Sequence, residues 1–153
     1  MDNIETKVAD TILQKPYRVQ VGEETYTVAP PSIATIILAS ELIAQLPGLK
    51  LDTKQVMFES LFVAKDCKVL GDIVATLILG ADNLTSEEEI IEKHCFGLIR
   101  RKKKVQVDNK VILAEKILKK LPPSRVNSIT LSILNRMEIG DFFGLTASLI
   151  EVN

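Results

Sequence analysis

The stretch Tyr17-Arg-Val-Gln-Val-Gly-Glu-Glu-Thr-Tyr-Thr-Val28, running on through Ala29-Pro30-Pro31-Ser32 into Ile33, decides how the rest of the chain is read. Tyr17, Val19 and Val21 alternate with Arg18 and Gln20, and Tyr26 and Val28 alternate with Thr25 and Thr27. Two runs of period 2 on either side of Gly22-Glu23-Glu24 predict a β-hairpin over residues 17–28. A hairpin alone is marginal in water, so this one needs another element to pack on. Pro30-Pro31 ends the strand, because proline donates nothing to a ladder. Everything after Ser32 changes to helical spacing. The predicted fold is therefore mainly α (α+β): one compact helical domain over 1–153 with a small N-terminal hairpin. Residues 1–15, with Ile4, Val8 and Ile12 at loose helical spacing, read as a flexible arm or frayed helix.

Downstream, Ser32 is placed to cap a helix bearing Ile33, Ile36, Ile37, Ile43 and Leu46, which Pro47-Gly48 stops. Asp52 with Gln55 starts a second helix carrying Val56, Phe58, Leu61 and Phe62. A third runs from about Lys68 to Leu79 and ends at Gly80. Thr85-Ser86-Glu87-Glu88 has the form of a capping box, so a helix with Ile90, Ile91, Cys95, Leu98 and Ile99 is expected there. It would end on the basic run Arg100-Arg101-Lys102-Lys103-Lys104, where cations suit the helix dipole. Residues 105–111 admit either a second hairpin (Val105 and Val107 alternate) or a polar turn into a helix from Lys110 to Leu121. After Pro122-Pro123, a helix over Ser124–Met137 would present Val126, Ile129, Ile133 and Met137. Gly140-Asp141 restarts a final short helix with Phe142, Phe143, Leu145, Leu149 and Ile150.

Composition excludes more than it assigns. Of 153 residues, 46% are hydrophobic and 25% charged, which is globular and not disordered. Aromatics are 5%, with no Trp, and mean hydropathy is +0.19. So aliphatic a small domain has apolar side chains to spare for contacts with partners or copies of itself. The apolar stretches 33–46 and 69–81 are too short to span a bilayer and contain Glu41 and Asp72. The opening Met1-Asp2-Asn3-Ile4-Glu5 is acidic where a secretory signal is basic, so a cytoplasmic location is expected, with Cys67 and Cys95 as reduced thiols. The net charge of −1 gives no global field toward nucleic acid or membrane.

The catalytic inventory is poor. His94 is the one histidine and adjoins Cys95, and a Cys67–His94 pair would depend wholly on the fold. One His and two scattered Cys make no zinc tetrad. Neither phosphate-loop glycine pattern occurs. No catalytic residue, metal or cofactor is assigned. The basic run Arg100, Arg101, Lys102, Lys103, Lys104 could bind phosphates, but it lacks the interleaved aromatics of a single-strand binder. Such runs more often form solvated faces or helix ends, or meet an acidic partner. Phe142 and Phe143 are neighbours, so on a helix one can enter the core while the other faces outward. These seven residues are the candidate partner-binding positions.

The arrangement as a whole resembles the tail assembly chaperones of long-tailed bacteriophages and prophages. The resemblance rests on the strand pair 17–28 leading through Ala29-Pro30-Pro31-Ser32 into an aliphatic helix, and on the run of small helices poor in aromatics. It rests also on the ending Leu121-Pro122-Pro123-Ser124, then Ile139-Gly140-Asp141-Phe142-Phe143 and Leu145-Thr146-Ala147-Ser148-Leu149. It implies a non-enzymatic, homo-oligomeric protein-binding factor that coats a long helical tape-measure-type chain, to be displaced by the tail tube protein. A structural or adaptor subunit of a phage-like particle is the alternative. A nucleic-acid-binding regulator using Arg100–Lys104 ranks below both.

Overall fold

The computed structural model describes residues 17–28, 32–48, 64–94, 99–137 and 139–151, with backbone alone at 17, 90–94, 99–103 and 151. The expected arm at 1–15, the segment Ala29–Pro31 and the helix expected from Asp52 lie outside the described residues. Those residues are mainly α, with two antiparallel hairpins. In chain order they are β1 (Tyr17–Val21), β2 (Glu24–Val28), α1 (Ile33–Ile43), α2 (Val69–Leu79), β3 (Thr85–His94), β4 (Ile99–Asp108), α3 (Asn109–Lys120), α4 (Pro123–Leu134) and α5 (Ile139–Glu151). Short 3-10 turns at Lys65–Lys68 and Ala81–Asn83 flank α2. No helix among the described residues is long and apolar enough to cross a membrane.

The first hairpin forms where the alternation places it. Tyr17 pairs with Val28 and Val21 with Glu24, so the turn is Gly22-Glu23 and Glu24 belongs to the strand. Gly22 sits at φ +63°, a conformation that mirror-image hairpin turns require and that costs glycine nothing. Val19, Val21 and Val28 share the inner face and are buried against α2 and α3. At its edge, Lys116 of α3 donates to both Glu24 carboxylate oxygens, at 2.6 and 2.8 Å, and the Tyr26 hydroxyl donates to the same carboxylate at 2.6 Å.

This clip makes the hairpin's attachment sensitive to pH. The Lys116 hydrogen bond, and then that of Tyr26, hold the Glu24 carboxyl below its ordinary value, while the same carboxylate raises Lys116. A carboxyl depressed in the folded state stabilises it above about pH 4.3, its value in an unfolded chain. That contribution disappears as the pH falls through the lower folded value. Lys116, raised, contributes below its unfolded value and is lost at high alkaline pH. Glu24→Gln is therefore expected to melt slightly below wild type at neutral pH, with the gap closing in acid. A gap that persists at low pH would show that Glu24 acts by packing and not by charge.

α2 is the centre of the domain. Gly71 and every residue from Ile73 to Ile78 are buried, so the helix is covered on all sides, as expected of a helix apolar all round. It ends at Gly80, whose φ of +71° lets the chain turn away while its N–H still bonds Thr76 O. α1, α3, α4 and β2 pack around it. From α3, Leu113, Ala114 and Ile117 face inward. From α4 come Ile129 and Ile133, with Met137 buried in the turn beyond. That inward row matches the sequence pattern, although the helix stops at Leu134 and not at Met137. Pro123 occupies the first turn of α4, where its missing N–H is no loss.

On α1 the structure corrects the expected face. Ser32 caps the helix as predicted, accepting from Thr35 N. Of the expected row only Ile36 and Leu46 pack partly buried against the core; the fully buried residues are Thr35 and Ala39, while Ile33, Ile37 and Ile43 are exposed. The sequence IATIILASELI is apolar on nearly every side, so periodicity does not select a face. The small residues win because they allow α1 and α2 to approach closely. Thr35 also accepts a hydrogen bond at 2.9 Å from Ala81 N, just beyond the end of α2.

The larger correction is at 85–108. The helix expected from the Thr85 capping box is strand β3, and the basic run placed at its end lies in strand β4. The two ten-residue strands pair from Thr85↔Asp108 to His94↔Ile99. This register sets Glu89 opposite Lys104 and Glu92 opposite Arg101. Opposite charges directly across a ladder stabilise it, and the β-branched Ile90 and Ile91 favour strand over helix. The ambiguity at 105–111 resolves both ways. Val105 and Val107 are half-buried strand residues, and Asp108 then caps α3 by accepting from Val111 N at 3.0 Å.

Candidate protein-binding surfaces

The last helix carries the most exposed apolar surface. Ile139, Phe142, Phe143, Leu149 and Ile150 recur at helical spacing with Leu145 beside them, and Asp141 and Ser148 lie on the other side. Among the described residues of α5 none is buried. Phe143 is 62% exposed and Ile150 74%, while Leu145 and Leu149 are more than half exposed. Phe142 is half-buried and meets the Phe143 ring edge-on, with centroids 5.5 Å apart and planes at 71°. Neither ring is buried: Phe142 is the more covered of the two and Phe143 the more exposed. The hydroxyls of Thr146 and Ser148 do not make the helix more polar. They donate back to Phe142 O and Gly144 O, at 2.7 and 2.8 Å.

A second apolar surface lies between α2, α3 and α4. Here a cleft of about 380 Å³ is lined mainly by Leu70, Gly71, Ile117, Leu118, Leu121 and Val126. Leu70 and Leu118 stand partly exposed at its rim. It exists because Gly71 lets α2 and α3 touch closely while Pro122-Pro123 swings α4 away. Periodicity did not reveal this cleft, since each of its residues reads as ordinary core from sequence.

The third surface is the β3–β4 ribbon. It is tied to the helices at its base: Lys110 N donates to Leu84 O, Asn109 Nδ2 to Asn83 O, and Ser86 Oγ to Asn109 Oδ1. Lys104, the one member of the basic run whose side chain is described, bonds Glu87 at 3.0 Å across the diagonal of the ladder. Both partners are about 70% exposed. A pair so exposed contributes little by itself. The basic run thus faces an acidic strand of its own chain. Four glutamates of β3 stand beside the five cations of β4, which cancels most of the positive field that a phosphate backbone would need.

Basic run and aromatic pair belong to separate elements, β4 and α5, so the seven candidate residues form two surfaces. His94 falls at the end of β3 away from the helices, and Cys67 is half-buried in the turn before α2. Among the described residues no group of three His, Cys, Asp or Glu side chains could hold a metal ion. Compared with known protein families, with curated proteins and with solved structures, the chain matches none.

Proposed function

We propose that this protein is a non-enzymatic assembly factor that binds a long helical protein chain, acting in the cytoplasm as a phage tail assembly chaperone-like protein. The observation that carries the reading is α5, a helix whose apolar face, with Phe143 and Ile150 at its centre, stands in solvent. Contiguous exposed apolar surface marks contact sites, and helix-against-helix recognition uses side chains at this spacing. The resemblance stated for 17–32 and 121–149 supplies the partner class: a tape-measure-like chain with apolar stripes along its helices. An adaptor subunit of a phage-like particle would use the same face but would remain in the finished particle. The nucleic-acid reading loses weight because the basic strand is already paired with an acidic one.

The test is Phe143→Ser, compared with wild type for thermal melting and for capture of a co-expressed long amphipathic helical chain. Phe143 touches little of the domain, so the melting temperature is expected to stay within roughly one or two degrees. Capture is expected to weaken by about 30-fold or more, the loss typical of an aromatic anchor. Unchanged capture with unchanged melting would remove α5 as the binding element.

A further inference from the structure

α5 and the cleft between α2, α3 and α4 match in length, charge and spacing. On α5, Phe143 and Ile150 are seven residues apart, two turns or about 10 Å, and so share one face. Both stand well exposed. Ala147 lies between them on that face, a small side chain between two large ones. From Phe142 to Ile150 no residue is charged. The cleft has the same length: its α4 wall runs from Pro123 to Thr130, again seven residues, and no charged side chain lines it. The hydroxyls on both surfaces are already satisfied. Thr130 Oγ1 donates to Val126 O at 2.8 Å within α4, as Thr146 and Ser148 donate within α5. Joining the two surfaces therefore strands none of these hydroxyl donors. Asn127, the other polar residue of the cleft, stands exposed.

Within one chain α5 stays clear of this cleft. Buried Met137 and partly buried Ile139 hold its start, and none of its described residues is buried. Each copy thus supplies one helix and one cleft, and two copies that exchange helices satisfy both, the same residues meeting twice about a twofold axis. Area decides between one contact and two. α5 has 13 residues, so it is about 20 Å long and, as a cylinder about 10 Å wide, turns up to about 300 Å² inward. With the matching groove, two exchanged contacts bury up to about 1,200 Å², the low end for a stable interface, and a single contact buries half of that. We propose that two copies of this chain form a dimer in which α5 of each seats in the α2–α3–α4 cleft of the other, with Phe143 and Ile150 inserted. The contact is apolar, so salt does not weaken it. It shares α5 with the helical partner proposed above, so that partner and the second copy compete. Its evidence and its test use this chain alone.

Sedimentation and disulfide trapping test this. At micromolar concentration, in low and high salt alike, wild type is expected at twice its monomer mass of 17.0 kDa. The double variant Phe143→Ser, Ile150→Ser is expected to be a monomer with its helical signal unchanged. For trapping, Cys67→Ser and Cys95→Ser remove the native thiols. One chain then receives Ala147→Cys on α5 and another Asn127→Cys on the cleft, both at exposed positions. A disulfide needs Cα atoms within about 7 Å, so its formation reports seating and not collision. Oxidation of the mixture should link one chain of each kind, while each chain alone stays unlinked. A chain carrying both cysteines should yield a doubly linked dimer. A monomeric wild type, or a dimer that survives the double serine variant, would overturn the proposal. Linkage of Ala147→Cys chains to each other would overturn it in favour of α5 against α5. Linkage only within the doubly substituted chain would overturn it in favour of α5 folding onto its own cleft. Capture of a helical chain plays no part in these measurements, so their failure leaves the proposed function to its own test.

Discussion

Gly71→Ala is expected to destabilise the domain by about 1–3 kcal/mol, although alanine is the better helix former. Gly71 lies in the first turns of α2, where a Cβ would come within 2.9 Å of Leu118 Cγ and 3.0 Å of both Leu118 Cδ1 and Ala114 O. Contacts that short do not persist, so something must move. Leu118 is 45% exposed and can swing outward, but Ala114 O belongs to the backbone of α3. The helices must therefore separate by a few tenths of an ångström along their closest line, loosening Leu113 and Ile117 against α2. The gain in helix propensity, about 1 kcal/mol, offsets only part of this. A matched cycle makes the mechanism visible. Leu118→Ala alone should cost little, because much of that side chain is in water. Combined with Gly71→Ala it should restore part of the loss, since two of the three close atoms are gone. Equilibrium denaturation of the four proteins reads this directly. Strict additivity would show that the glycine is there for a reason other than the approach of α3.

Two buried threonines are expected to respond in opposite directions to the same change. Thr35 and Thr76 are each 1% exposed, and Thr→Val keeps the shape while deleting the hydroxyl. Thr35 Oγ1 accepts from Ala81 N and lies 3.2 Å from Ser32 Oγ, joining the start of α1 to the chain just past α2. Without it a part-buried N–H loses its acceptor. Thr35→Val should therefore lose about 1–3 kcal/mol. In a domain of this length that lowers the melting temperature by roughly 2–4 °C for each kcal/mol. Thr76 Oγ1 has no hydrogen-bond partner. Burying an unpaired hydroxyl is itself unfavourable, so Thr76→Val should be neutral or stabilising by up to about 1 kcal/mol. The difference between the two variants is the quantity to measure, because it cancels what valine does to any helix. Equal destabilisation by both would mean that Thr76 has a partner after all, such as a buried water.

The failure at 85–94 has a physical cause that can be traced residue by residue. Thr85 and Glu88 satisfy a local rule for starting a helix, and Glu87-Glu88-Glu89 is placed where a helix dipole would favour it. Local rules, however, weigh only interactions within one segment. The strand conformation draws on Lys104 opposite Glu89 and Arg101 opposite Glu92, both in another segment, and on hydrogen bonds from Asn109 and Lys110 that hold the ribbon's base. The sequence does contain the pertinent pattern: the acidic run Glu87–Glu89 and the basic run Arg100–Lys104, with Gly97 in the segment between them. Read as a pair they suggest a hairpin. Read one at a time they suggest the two ends of a helix.

Elsewhere, what was legible from sequence is what local chemistry controls. Period 2 around Gly22 fixed the first hairpin, Ser32 and Gly80 fixed helix ends, and Pro122-Pro123 separated two helices. Ile129, Ile133 and Met137 announced an inward row. The adjacency of Phe142 and Phe143 announced that the two would be unequally covered, and so that one could reach solvent. Only the tertiary structure decided which face of the largely apolar α1 turns inward, because Thr35 and Ala39 fit against α2 while Ile33, Ile37 and Ile43 do not. It alone decided that α2, and not the longer apolar stretch at 33–46, is covered on all sides. It alone formed the cleft beside Gly71, and it alone set the acidic run against the basic one. In each case the deciding interaction joins residues distant along the chain, whose energies no periodicity within a single segment contains.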